Sequence, residues 1–223
     1  MKKIFIFTLM AMMAQTSAQA APVKRLAQDV KLPTQAVMER QTITNPIVAT
    51  TNRVLATHAG ATSAAIATVT TMTAQPDVPR NLTITPTGTT GDVEACIITV
   101  TGTNINGATI SETFTFLADA STATTGNKAF KTVTSISFPA NCESGGFAAT
   151  WIVGVGSKLG LKRCVANAGD LVFSEFDGAY ETTRGTLAAN ATAVESNTFT
   201  PNGTMDAAKS VIVNYIQNFG CFP

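Results

Sequence analysis

The chain has one histidine, His58, and any Ser-His-Asp or Cys-His nucleophile arrangement would have to use it as the base. It stands in "ATHAG", just ahead of the β-type region, and no Gly-x-Ser-x-Gly elbow occurs in the sequence. His58 therefore reads as a solvated loop residue. Glycoside hydrolysis needs two carboxylates facing each other in space, and Asp170, Glu175, Asp177, Glu181 and Glu195 are the candidates. Nothing in their spacing singles out a pair, and their expected part is to keep loops and strand edges soluble. No catalytic residue is assigned, and the chain reads as a non-enzyme.

Cys96, Cys142, Cys164 and Cys221 are not paired at the two- to four-residue spacing of zinc sites, so no metal is expected there. An even number of cysteines behind an export-type leader suits two disulfides, with all three pairings open. In "GTNINGATISE", Asn104, Asn106 and Gly107 fall at the third, fifth and sixth positions of a calcium loop. The first position would be Gly102, which has no side-chain oxygen, and Glu112 falls one residue short of the bidentate place. "GVGSKLG", residues 154–160, lacks the order of a nucleotide loop and is followed by no helix, so it reads as a bulge or tight corner and no cofactor is expected. Trp151 and Tyr180 could stack on a sugar, although a lone Trp beside "IVGV" suits a core or an interface. Asn81, Asn190 and Asn202 each open an Asn-x-Thr acceptor, which a Thr-rich chain produces readily by chance.

The elements that would position these residues are strands. "TVTGTNINGATISETFTF", residues 99–116, alternates apolar and hydroxyl side chains on both sides of Asn106-Gly107. Asn-Gly supplies the positive backbone angles of a two-residue hairpin turn, so Asn106 and Gly107 are placed at the tip of an antiparallel hairpin. From about Arg53 onward, short runs such as "RNLTITPTG", "KTVTSISF", "ATWIVGVG" and "SVIVNYI" alternate with Gly, Pro, Asn and Asp. Such spacing is the pattern of an all-β, antiparallel sandwich of Greek-key or jelly-roll type.

The N-terminus differs. "MKKIFIFTLMAMMAQTSAQA" has a basic start, a short apolar run and a small-x-small end at Ala20, the three parts of a secretory signal peptide. Residues 21–52 mix charges with Pro33 and Pro46 and read as a non-β arm or linker. The domains expected are therefore 1–20, a signal or signal-like segment; 21–52, an arm; and 53–223, a β-sandwich that can hold two sub-lobes. Fifteen basic residues against fourteen acidic ones give a net charge of +1, which offers no electrostatic case for nucleic acid. No later segment is long and apolar enough to span a membrane.

Five segments, "AQPDVPRNLTITPTGT", the 99–116 hairpin, "GNKAFKTVTSISFPA", "GVGSKLGLK" and "TAVESNTFTPNGTMDAAKSVIVNYI", occur in an order that resembles a group of tailed-bacteriophage virion structural proteins. The resemblance runs from about Val54 to Ile216. It implies a non-enzymatic, β-rich particle component, a capsid decoration or spike protein whose partners are capsid or other particle proteins and further copies of itself. It implies neither an export signal nor four cysteines. The alternative expectation is a secreted bacterial surface adhesin or carbohydrate-binding β-sandwich with disulfides, located outside the cell if the leader is cleaved after Ala20.

Overall fold

The computed structural model describes residues 37–59, 66–88, 91–140, 142–143 and 149–221. The leader 1–20 and the arm as far as residue 36 lie outside the described residues. The strands are β1 (Val37–Ile43), β2 (Thr50–Ala59), β3 (Ala67–Val69), β4 (Arg80–Thr87), β5 (Cys96–Thr103), β6 (Thr109–Phe116) and β7 (Thr124–Thr125). They continue with β8 (Thr132–Phe138), β9 (Thr150–Gly160), β10 (Leu171–Phe176), β11 (Ala179–Tyr180), β12 (Thr186–Ala188), β13 (Thr198–Thr200) and β14 (Val211–Gln217). Among the described residues there is no α-helix. The fold is all-β and antiparallel, as the alternation requires.

The strands form three sheets, ordered β1-β14-β10-β11, β12-β13-β9-β4-β7 and β3-β8-β5-β6, with β2 added to the free edge of β9. Two of the strands fall where the sequence reads as an arm: β1 and the start of β2 lie inside 21–52. Their polarity hid them. β1, "VMERQTI", turns Gln41 and Ile43 inward rather than a run of aliphatics, and β2 buries the adjacent pair Val54 and Leu55 because bulges interrupt its pairing with β9.

Strand β9 is shared by two apolar cores. Trp151, Val153 and Val155 pack with Leu82, Ile84, Ile98, Phe114, Phe130 and Phe138 between the second and third sheets. Four residues further on, Leu159 packs with Phe199, Val211, Val213 and Tyr215 against the first sheet. Between the two lies a bulge: from Arg80↔Leu159 to Leu82↔Val155, β4 advances by two residues while β9 advances by four. The "GVGSKLG" stretch is thus a bulged strand. A side chain at Gly154 would collide with the backbone of Thr50 and Thr51, so glycine is what lets β2 cross β9 there.

The bulge is held by a fully buried arginine. Arg80 Nε donates to the Gly156 carbonyl at 2.7 Å, Nη2 donates to the same oxygen, and Nη1 donates to the Ile47 carbonyl at 3.0 Å and to Asp77 Oδ1 at 3.1 Å. Asp77 Oδ2 accepts the Ile47 N–H at 2.8 Å, so the ion pair also fixes the β1–β2 connection. Burial draws the Arg80 pKa down and Asp77 opposes this, the expected balance for a buried charge with a hydrogen-bonded partner. Next to it, Asn81 accepts the Lys158 N–H at 2.9 Å and donates to the Gly126 carbonyl at 3.1 Å. Gln41 ties β1 to the end of β9, donating to Gly160 O at 3.0 Å and accepting the Lys162 N–H at 2.8 Å.

The β5–β6 hairpin forms in the expected register, Thr103↔Thr109 through Cys96↔Phe116, but its loop has five residues rather than two. Gly107 N donates to Asn104 O at 3.0 Å, so Ile105 and Asn106 are the central residues of the turn. Gly107 follows them at φ +85°, and Asn106 does not take a positive φ. Asn104, which is buried, organises the loop by accepting the Asn106 and Ala108 N–H groups, both at 3.0 Å. A true two-residue hairpin occurs elsewhere: Asp177 (φ +54°) and Gly178 (φ +74°) join β10 to β11.

Nothing lies within 4 Å of a Cβ built at Gly107, so a substitution there is opposed by the backbone angle alone. Gly107→Val is expected to cost about 1–2 kcal/mol, read as a lower melting temperature, with Gly107→Asn costing less. Equal melting temperatures for wild type and Gly107→Val would contradict the turn geometry.

Candidate functional site

The residues that could carry chemistry are dispersed and individually occupied. His58 is not in a loop but in β2, where its ring stacks on Phe138 with centroids 4.7 Å apart. Burial lowers its pKa from the ordinary histidine value, and its Nε2 has no hydrogen-bond partner among the described residues. No nucleophile among the described residues is hydrogen-bonded to its Nε2. Trp151 is fully buried edge-on to Phe116 at 4.9 Å, whereas Tyr180 is exposed on a different sheet, so the two form no sugar-stacking platform.

The five candidate carboxylates each have a separate structural part. Asp170 accepts the Asn167 N–H at 2.9 Å; Glu175 lies 3.9 Å from Arg40; Asp177 makes the β10–β11 turn. Glu181 is buried, accepting the Ser174 hydroxyl at 2.5 Å and the Asn202 and Gly203 N–H groups at 2.9 and 3.2 Å. Glu195 lies 4.0 Å from Lys128. No cluster of three or more metal-ligating side chains occurs among the described residues. Of the Asn-x-Thr positions, Asn81 is fully buried in β4, while Asn190 caps its own loop by accepting the Thr192 and Ala193 N–H groups.

The four cysteines pair as Cys96–Cys142 and Cys164–Cys221, with Cα separations of 5.3 and 5.7 Å. Cys96 and Cys142 belong to the first core, and Cys164 is buried beside the second, where Asn197 Nδ2 donates to its sulfur at 3.4 Å. Closing loops of 46 and 57 residues, each bond is worth roughly 4 kcal/mol on the chain-entropy model.

The surface that stands out is the outer face of the β3-β8-β5-β6 sheet. Alternation sends Ile98, Val100, Phe114 and Phe116 inward, which leaves the opposite parity to solvent. Register then aligns those outward residues across strands: Thr113, Thr99, Ser137 and Thr68 form one row; Ser111, Thr101 and Ser135 a second; Thr109, Thr103 and Thr132 a third. Rows repeat about every 6.7 Å along a strand and members stand about 4.8 Å apart across strands. None of these positions is charged, and within the third row the Thr103 and Thr132 hydroxyls hydrogen-bond at 2.6 Å. The edge strand β6 is guarded: Lys128 Nζ donates to the Ser111 carbonyl at 2.9 Å, placing an ammonium where another chain would pair. The opposite edge, β3, has three residues.

No family model, curated protein or solved structure matches the chain.

Because burial lowers the His58 pKa, the unfolded chain binds the proton more readily, so its contribution to stability is full above about pH 6.5 and declines below it. Burial acts oppositely on Glu112, whose raised pKa makes the folded state the better proton acceptor. Subtracting the melting-temperature profile of His58→Gln from that of wild type isolates the histidine: the difference is expected to change between pH 7 and pH 5, and a flat difference would show that His58 is not desolvated.

Proposed function

We propose that the chain is a non-enzymatic structural component of a phage-like particle, a capsid decoration or spike protein that binds the particle surface and associates with further copies of itself. The observation that carries this reading is the uncharged hydroxyl face with its guarded edges. A protein displayed at high density must expose strands without polymerising along them, and threonine gives β propensity while leaving hydroxyls in water. The occupied state of the interior charges supports the same reading. Arg80, Asp77 and Glu181 are satisfied by backbone and by one another, which is what scaffold groups do. Attachment then relies on shape-matched contacts rather than on net charge.

A second reading, a secreted surface adhesin or carbohydrate-binding module, is favoured by one observation, the two disulfides, because such bonds persist in oxidising compartments. Mass mapping of the N-terminal peptide in separated particle and soluble fractions distinguishes the two. The particle reading expects the chain in purified particles. A chain beginning at Ala21 and confined to the soluble or envelope fraction would overturn it and support the second.

A further inference from the structure

We propose that Lys158 and Asn127 join through an intramolecular isopeptide bond, with the Glu112 carboxyl group moving the protons. Three elements distant in sequence bring the groups together: β9 supplies the lysine, the β7–β8 connection the asparagine, and β6 the glutamate. Lys158 Nζ stands 2.6 Å from Asn127 Oδ1. With a C=O bond of about 1.2 Å, a nitrogen at that distance from the oxygen stands about 2.9–3.8 Å from the amide carbon, a span that overlaps the roughly 3–3.5 Å near-attack range.

The backbone that carries both groups is held, and the Asn127 side chain is open to solvent. Gly126 N donates to Leu82 O at 2.8 Å, and Gly126 O accepts from Asn81 Nδ2 at 3.1 Å and from Lys158 Nζ at 3.4 Å. Asn127 N donates to Glu112 Oε1 at 2.6 Å and Lys128 N to the same oxygen at 3.2 Å. On the lysine side, Lys158 N donates to Asn81 Oδ1 at 2.9 Å, so a single fully buried asparagine fixes both the nucleophile's strand and the loop that carries the amide. This restraint on the two backbones lowers the entropic cost of bringing the two side chains together. Glu112 is half-buried, burial raises its carboxyl pKa, and its Oε1 lies 2.6 Å from Asn127 N, which places a proton acceptor beside the reacting pair.

The reaction needs no oxidant or cofactor. Lys158 first gives up its ammonium proton to water, which the released ammonia later takes back, and the free Nζ lone pair attacks Asn127 Cγ to form the new C–N bond. A second Nζ proton passes to the Glu112 carboxylate, which protonates Nδ2, and the Cγ–Nδ2 bond breaks. The products are a secondary amide and ammonia. The bond would tie the central strand to the connection that leads into the hydroxyl-faced sheet, and it does not depend on the particle reading.

The test is peptide mapping of the folded, oxidised full-length protein, kept at neutral and mildly alkaline pH. The expected result is a branched peptide joining Lys158 to Asn127, with an intact mass lower by one ammonia beyond the two disulfides. Lys158→Arg and Glu112→Gln are each expected to lack the branch while still melting cooperatively. Linear peptides with unmodified Lys158 and Asn127 from folded wild type would overturn the proposal. So would ammonia loss confined to a ring-closed Asn127 with Lys158 free, and a branch that persists in Glu112→Gln would overturn the assignment to Glu112.

Discussion

The structure depends on how one strand is shared. β9 contributes Trp151, Val153 and Val155 to one core and Leu159, on the same parity, to the other, and the two extra residues between them bend the strand while keeping that parity. The bulge at residues 156–158 re-aims it, and a bulge leaves backbone groups without ladder partners. Arg80 takes the Gly156 carbonyl and Asn81 takes the Lys158 N–H, so two backbone groups at the ends of the bulge are bonded by adjacent residues of the neighbouring strand. Asp77 makes the buried guanidinium tolerable and extends the same knot to the β1–β2 connection. Removal of one charge would strand the other in the interior, where an unpaired ion is far costlier than a missing contact.

Much of the architecture was legible because β alternation is local. "TVTGTNINGATISETFTF" declared both faces of its hairpin, and short apolar runs between turn residues marked β4, β8, β9 and β14. What escaped were strands whose inward residues are polar or whose register is broken. β1 turns Gln41 to the interior because that amide has backbone partners at the end of β9, a fact that lies 119 residues away in the chain. The hairpin tip was read from Asn106-Gly107, while the turn is organised by the side chain of Asn104, which sequence alone does not distinguish from its neighbours. Asp177-Gly178 has the residue types of a two-residue turn, but the strand after it, β11, has only two residues to mark a hairpin in the sequence.

The candidate site was less legible, for a physical reason. His58, Glu181 and Asn81 look like chemistry in a string of letters, but stacking, loop capping and bulge repair use them up in space. The hydroxyl rows could be anticipated strand by strand, yet their alignment across four strands required the register. The Lys158–Asn127 contact had no sequence signal at all, since β9 and the β7–β8 connection meet only through the fold.

The central claim is that the Asp77–Arg80 pair holds the bulge that lets both cores share β9. Urea unfolding of oxidised Asp77→Ala, followed by Trp151 fluorescence, tests it most directly. The account predicts a loss of about 3–5 kcal/mol, the cost of stranding a buried charge. A loss under about 0.5 kcal/mol, the range of an ordinary surface substitution, would contradict it.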